Sequence, residues 1–398
     1  MADLHCSLAG IEAPNPFWLA SGPPADSGAK VARAFEAGWG GAVWKTLCLE
    51  PIVNVSSRLG AVTGDGGAVV ALENIELIMD RPLEDNLKEI AEVKKRFPDR
   101  ALVASVMAGP EEAWRELVRR VEEAGADGLE LNFGCPHGMC ERGMGSAVGQ
   151  EPKVLAEITG WVRGMTGLPL VVKLTPNVTD ITEPGAAAAR SGADALSLIN
   201  TIKSIVGVDL ERFSPLPRVA GRGTSGGLSG PAVKPVALHM VAELASRPET
   251  ALPISAIGGA STWRDAAEFI LLGASTVQVC TAVMLRGAGI IQDMVGGLSD
   301  YMDAKGFESI EAMRGRALEN RVAWGALDTA FRAVARIDLS RCTACGLCVT
   351  ACRDGAHGCI VPSSPAPEAP FVVDVSCCVG CNLCSLVCPE GCIEMREA

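Results

Sequence analysis

The stretch ALVASVMAGPEEAWRELVRRVEEAGADGLELN, residues 101–132, decides how this chain folds. Its apolar run at 102–106 is short and is closed by Gly109 and Pro110, which suits a buried strand. Residues 111–124 then place apolar side chains at spacings of three and four among charged ones, which suits an amphipathic helix, and 128–132 is apolar again. Strand, helix and strand make a parallel pair with its crossover. The same rhythm runs outward through the first 285 residues. It gives eight strand candidates at 17–20, 42–45, 102–106, 128–132, 168–174, 196–200, 254–257 and 276–280, with helical patterns at 85–96, 111–124, 152–165, 231–246 and 263–272. Eight such units predict an α/β fold, a (β/α)8 TIM barrel.

In that fold the active site lies at the C-terminal ends of the strands. Ser21, Lys45, Asn132, Lys173, Asn200, Gly258 and Cys280 all stand at or just past such an end. Residues 1–300 are therefore expected to form the barrel. Residues 285–335 read as helical, with candidates at 300–305 and 310–323, so that 301–335 is a helical connection to a separate tail at 336–398. The segment 362–370, with its prolines and serines, reads as a polar loop inside that tail.

Composition narrows the function. The 398 residues carry 35 Lys and Arg against 47 Asp and Glu, a net charge of -12, so no chain-wide positive field draws in nucleic acid. Mean hydropathy is +0.25, yet every apolar run is interrupted before the ~18 residues that a membrane span requires. The first residues, MADLHCSLAGIEAPNPF, show no basic segment followed by an apolar core, and a cytoplasmic location is the expectation.

Eleven of the 16 cysteines fall between Cys342 and Cys392. Cys342, Cys345, Cys348 and Cys352 follow CxxCxxCxxxC, and Cys378, Cys381, Cys384 and Cys388 repeat it with Pro389 behind. Three closely spaced thiolates surround one face of a cubane, and in two-cluster ferredoxins the fourth cysteine of each run ligates the other cluster. The tail is thus expected to be a ferredoxin-like α+β domain with two [4Fe-4S] clusters. Zinc would call for CxxC pairs separated by a longer gap. Cys359, Cys377 and Cys392 lie outside the quartets and read as small buried apolar groups or bystanders. Clusters pass single electrons, so the barrel is expected to hold a flavin that converts them to two-electron chemistry.

The loop ELNFGCPHGMCERGMGSAVGQ at 130–150 resembles the active-site loop of the dihydropyrimidine dehydrogenase family. The likeness continues through KLTPNVTD at 173–180, NTIKSIVGVDL at 200–210, GGLSGPAVKP at 226–235, IGG at 257–259 and QVCTAVM at 278–284. The layout, barrel first and ferredoxin module last, is similar to the family's bacterial iron-sulfur subunits, and the wider clan includes dihydroorotate dehydrogenases. This resemblance implies that Cys135 is the proton donor. It implies that Asn74, Asn132, Phe133, Gly134, Asn200 and Thr201 surround a pyrimidine, and that Ser21, Lys45, Thr46, Lys173, Gly230, Ile257, Gly258, Gly259, Cys280 and Thr281 hold FMN. The chemistry is coherent. Carboxamides supply both donors and acceptors to a uracil-like ring without adding charge, a fixed cation stabilises negative charge on a reduced flavin, and a thiol of ordinary pKa, ~8.5, is protonated at neutral pH. Two departures stand out: Gly134 replaces a serine usual in the family, and Cys140 stands where the vertebrate loop has glycine.

No GxGxxG follows a strand and opens a helix, so a nicotinamide site is not expected on this chain. The resemblance implies a separate FAD- and NAD(P)-binding subunit that feeds the clusters, hence a hetero-oligomer. The reaction expected is reduction of the C5-C6 bond of uracil or thymine, or its reverse. The alternatives are the same chemistry on another cyclic amide or dihydroorotate-like ring, motivated by Gly134, and an electron-transfer module without chemistry of its own.

Overall fold

The computed structural model describes residues 2–364 and 371–398, so that 365–370 of the expected polar loop lie outside the described residues. The chain divides into two compact units, one ending at Arg321 and one beginning at Val322. Eight parallel strands of the first unit close into a barrel: β1 (Phe17–Leu19), β2 (Gly41–Leu47), β3 (Ala101–Val106), β4 (Gly128–Asn132), β5 (Leu170–Lys173), β6 (Ala195–Leu198), β7 (Ile254–Ile257) and β8 (Thr276–Val279). Each strand pairs with its neighbour in sequence, and β8 closes on β1 through Val277 to Phe17. All eight strand candidates are present, with ends displaced by one or two residues. The expected (β/α)8 barrel is the fold observed.

Burial on both faces explains the apolar runs, because parallel strands covered by helices have no wet side. Every residue of β2, β3 and β4 is buried. The helix Glu111–Glu123 turns Trp114, Leu117, Val118 and Val121 onto the strands and leaves its acidic and basic residues in solvent. The helix Trp263–Leu271 is started by a reciprocal cap, in which the Thr262 hydroxyl accepts from the Asp265 amide and the Asp265 carboxylate accepts from the Thr262 amide.

Two excursions from the barrel build a sheet absent from the strand assignments made on sequence. Leu59–Thr63 and Val69–Asn74, after β2, pair antiparallel with each other, and Gly226–Ser229 pairs with Val69–Asn74 on one side and Ile202–Ser204 on the other. The Glu73 carboxylate ties the two excursions together by accepting from Ser204 Oγ at 2.8 Å, Val206 N at 3.0 Å and Gly226 N at 3.2 Å. This sheet delivers Asn74, Ser229 and Gly230 toward the ends of the barrel strands.

The connection differs from expectation. The helix Ile291–Lys305 contains the expected segment 300–305, but the pattern at 310–323 yields only the turn Ile310–Met313, followed by isolated 3-10 turns at Leu318–Asn320 and Trp324–Ala326. Gly315, with φ 77°, breaks the helix, and Val322, Trp324 and Leu327 are exposed rather than buried on a helical stripe. In the second unit Ala333–Ile337 pairs antiparallel with Ile393–Glu397, and Ile360–Pro362 with Phe371–Val373, around the helix Leu347–Gly355 and the short turn Leu383–Leu386. Among the described residues no helix is long and apolar enough to cross a membrane.

Candidate active site

The C-terminal mouth of the barrel opens into a cleft of about 1090 Å³, solvent at its entrance included. Lys45 lies inside β2, two residues before its end, and Lys173 ends β5, so both ammonium groups are buried in the cleft floor. Each has an acidic anchor. Glu76 pairs with Lys45, and its other oxygen lies 3.4 Å from the half-exposed guanidinium of Arg58. Glu130, fully buried in β4, accepts from Lys173 Nζ at 3.2 Å, Ser197 Oγ at 2.9 Å and Gln278 Nε2 at 3.3 Å. A buried charge is tolerated only with partners of this kind.

The amides form a continuous chain. Asn200 Nδ2 donates to Asn132 Oδ1 at 3.0 Å, Asn132 Nδ2 donates to Thr46 Oγ1 at 2.8 Å, and Thr46 Oγ1 lies 2.9 Å from Ser105 Oγ and 3.3 Å from Ser21 Oγ. The Thr201 amide donates to Asn200 Oδ1 at 2.9 Å. Asn74 enters from the antiparallel sheet, and its Oδ1 is buried without a partner.

Cys135 is buried in the turn after β4, its thiol 3.5 Å from the His137 carbonyl. Burial pushes its pKa up to about 11, against a smaller lowering by the His137 hydrogen bond, so the thiol is neutral at physiological pH. His137 Nε2 contacts the Glu76 carbonyl at 3.0 Å while its Nδ1 has no partner. Burial lowers the imidazole pKa and favours the neutral ring.

The expected cofactor residues Ser21, Lys45, Thr46, Lys173, Gly230, Ile257, Gly258, Gly259, Cys280 and Thr281 all line this one cleft, as do Asn74, Asn132, Cys135, Asn200 and Thr201. Phe133 and Gly134 do not. The Phe133 ring packs edge-on against Trp114 at 6.2 Å, in the helical layer, and the Gly134 amide donates to Asn132 Oδ1 at 3.1 Å. Glu76, Glu130 and His137 were missed on sequence. A charge inside the apolar run of β4 was a legible signal for Glu130, whereas nothing local marks Glu76.

The lining fits a polar, phosphate-bearing planar group. Asn74 Oδ1, Gln278 Oε1 and His137 Nδ1 are buried polar atoms without partners, a state proteins rarely tolerate without a ligand or water. A Cβ added at Gly259 would meet the Gly230 carbonyl at 2.9 Å, and one at Gly230 would meet Thr281 Cγ2 at 3.5 Å. Gly230 after the antiparallel sheet, Gly259 after β7 and Thr281 after β8 thus converge closely, as a phosphate cradle requires.

In the second unit the cysteines gather into two cages. Cys342, Cys345 and Cys348 line one cavity together with Cys388, and Cys378, Cys381 and Cys384 line the other together with Cys352. The exchange of fourth members matches two-cluster ferredoxin ligation. Four soft thiols about a hollow suit a cubane.

Joining a barrel cleft to two cysteine cages defines an iron-sulfur oxidoreductase. Residues 3–302 match the dihydroorotate dehydrogenase family, residues 335–395 match the 4Fe-4S dicluster domain, and the chain belongs to that dehydrogenase family. It is 42% identical over 356 residues to the NAD-dependent dihydropyrimidine dehydrogenase subunit PreA of Escherichia coli (strain K12), covering 89% of this chain and 86% of that protein. Identity to the chloroplastic dihydropyrimidine dehydrogenase (NADP(+)) of Arabidopsis thaliana is 45% over 329 residues, 80% of this chain and 77% of that one. The dihydroorotate dehydrogenase B (NAD(+)) catalytic subunit of Pyrococcus abyssi is 36% identical over 316 residues, 79% of this chain and 99% of its own length.

Proposed function

We propose that this chain is the catalytic subunit of a dihydropyrimidine dehydrogenase, acting on the C5-C6 bond of uracil or thymine, with FMN in the barrel cleft and two [4Fe-4S] clusters in the tail. The observation that carries this reading is the convergence of Asn74, Asn132 and Asn200 with the neutral thiol of Cys135 beside two buried lysines in a single cleft. When bound, FMN supplies a hydride carrier that also exchanges single electrons with the clusters. Asn74, Asn132 and Asn200 hold the ring by its alternating carbonyl and N-H groups. Cys135 holds the proton destined for C5, and its raised pKa keeps that proton in place at neutral pH. Lys45 and Lys173, fixed by Glu76 and Glu130, present positive charge to the flavin. The eight cysteines of the two runs would hold the clusters, which would supply one-electron relay sites for a separate FAD- and NAD(P)-binding subunit in the cytoplasm.

Reduced methyl viologen tests the chemistry without the partner. Anaerobic turnover of uracil or thymine to the dihydropyrimidine is expected, with negligible NADH oxidation by the pure chain. Cys135→Ala should lower the rate by about 10²-fold or more, and an unchanged rate would remove the acid assignment. Gly134 favours a second reading, another cyclic amide as substrate. Turnover of dihydroorotate or such a ring in preference to uracil would select it.

A further inference from the structure

The two halves of the tail repeat a feature beyond the ligand spacing. Gly358-Cys359-Ile360 and Gly391-Cys392-Ile393 each follow the fourth cysteine of a run, and each glycine has positive φ, 66° and 53°. Cys359 and Cys392 are both buried, and each lines one cage without belonging to its quartet. A small residue is needed there, and alanine would serve. Cysteine adds a weak S-H donor.

The two thiols are differently engaged. Cys392 Sγ lies 3.4 Å from Cys388 Sγ, a member of the first cage, in the cavity that Cys342 also lines. Cys359 Sγ instead faces the His357 carbonyl at 3.5 Å and the thiol of Cys377, a residue outside both quartets. Its contact with the ligand set comes from its backbone, whose N-H donates to Cys352 Sγ at 3.3 Å. With metal bound, Cys388 is a thiolate and only accepts, so a protonated Cys392 is the donor of this contact.

We infer that Cys392 donates its S-H to the Cys388 sulfur of the first cage and holds that cluster at a higher reduction potential than its pseudo-symmetric partner Cys359 gives the second. Hydrogen bonds to cluster sulfurs favour the reduced, more negative state. The duplicated module thereby acquires two unequal electron stations from a single side-chain contact. The inference rests on the ligand assignment proposed above.

Redox titration of the full chain, followed by electron paramagnetic resonance, tests it. Cys392→Ala should shift one cluster's one-electron equilibrium about fivefold toward the oxidised form, the size expected for one weak hydrogen bond, while Cys359→Ala leaves both clusters near their parental potentials. Cys392→Ser retains a donor and should keep the potential at or above the parental value. Unmoved potentials in Cys392→Ala, an equal shift in Cys359→Ala, or a fall in Cys392→Ser matching the alanine variant would overturn the inference. Loss of the cluster in both Cys392 variants would overturn it too, by making Cys392 a structural or ligating residue. A parental chain without cubane signals would instead sink the ligand assignment itself.

Discussion

Gly134→Ser puts a side chain against Asn200, and it should damage this enzyme. A Cβ at position 134 would lie 2.4 Å from Asn200 Cβ, 2.5 Å from its Nδ2 and 2.8 Å from its Cγ. Carbon atoms pack at about 3.5–4.0 Å, so the overlap exceeds 1 Å. Rotation of Asn200 cannot relieve it, because Cβ is attached directly to the backbone. The strand-end turn must move, and with it the Asn200 to Asn132 hydrogen bond that orients both amides. A displacement of about 1 Å at a reacting site costs about 10²-fold in rate, equivalent to about 2.7 kcal/mol of transition-state stabilisation. The assay is kcat/KM for uracil with reduced methyl viologen, for Gly134→Ala and Gly134→Ser, with flavin absorbance confirming an intact barrel. Values within threefold of the parent would refute the coupling of Gly134 to Asn200.

Three further outcomes follow from the geometry. Alkylation of Cys135 by iodoacetamide should remain slow through about pH 9 and accelerate only as the pH approaches about 11, measured by peptide mass spectrometry; because burial holds the folded pKa above the ordinary thiol value, the stability contributed by this neutral thiol is complete below that ordinary value and lost between there and about 11. Cys352→Ala should deplete the cluster of Cys378, Cys381 and Cys384 while sparing the one its own run begins, which paramagnetic resonance and a fall to roughly half the iron would show. Gly160→Ala, in the helix Pro152–Arg163 with nothing within 4 Å of the added methyl, should stabilise the chain by about 0.5–1 kcal/mol in urea unfolding.

The barrel and the tail were legible because their signals are local. Buried parallel strands leave short apolar runs between helical patterns, and cubane ligands leave fixed spacings, so all eight strands and the dicluster domain could be read from one chain. The sheet over the mouth was not. Its strands are only partly buried, and their pairing depends on Glu73 joining segments more than 130 residues apart. The helical reading at 310–323 failed for a related reason: amphipathic spacing predicts a helix only where a core receives the stripe, and Val322 has none.

Within the site, the amino-acid order by itself supplied the candidate lysines, amides and thiol and the two cysteine runs. Only the folded chain decided which buried acid holds each lysine, that Gly134 leaves room for Asn200, and that the Cys392 thiol touches a sulfur of its cage while the Cys359 thiol does not. Those facts turn on contacts of a few ångströms between residues distant along the chain. Spacing records what one segment presents, whereas packing alone selects what it meets.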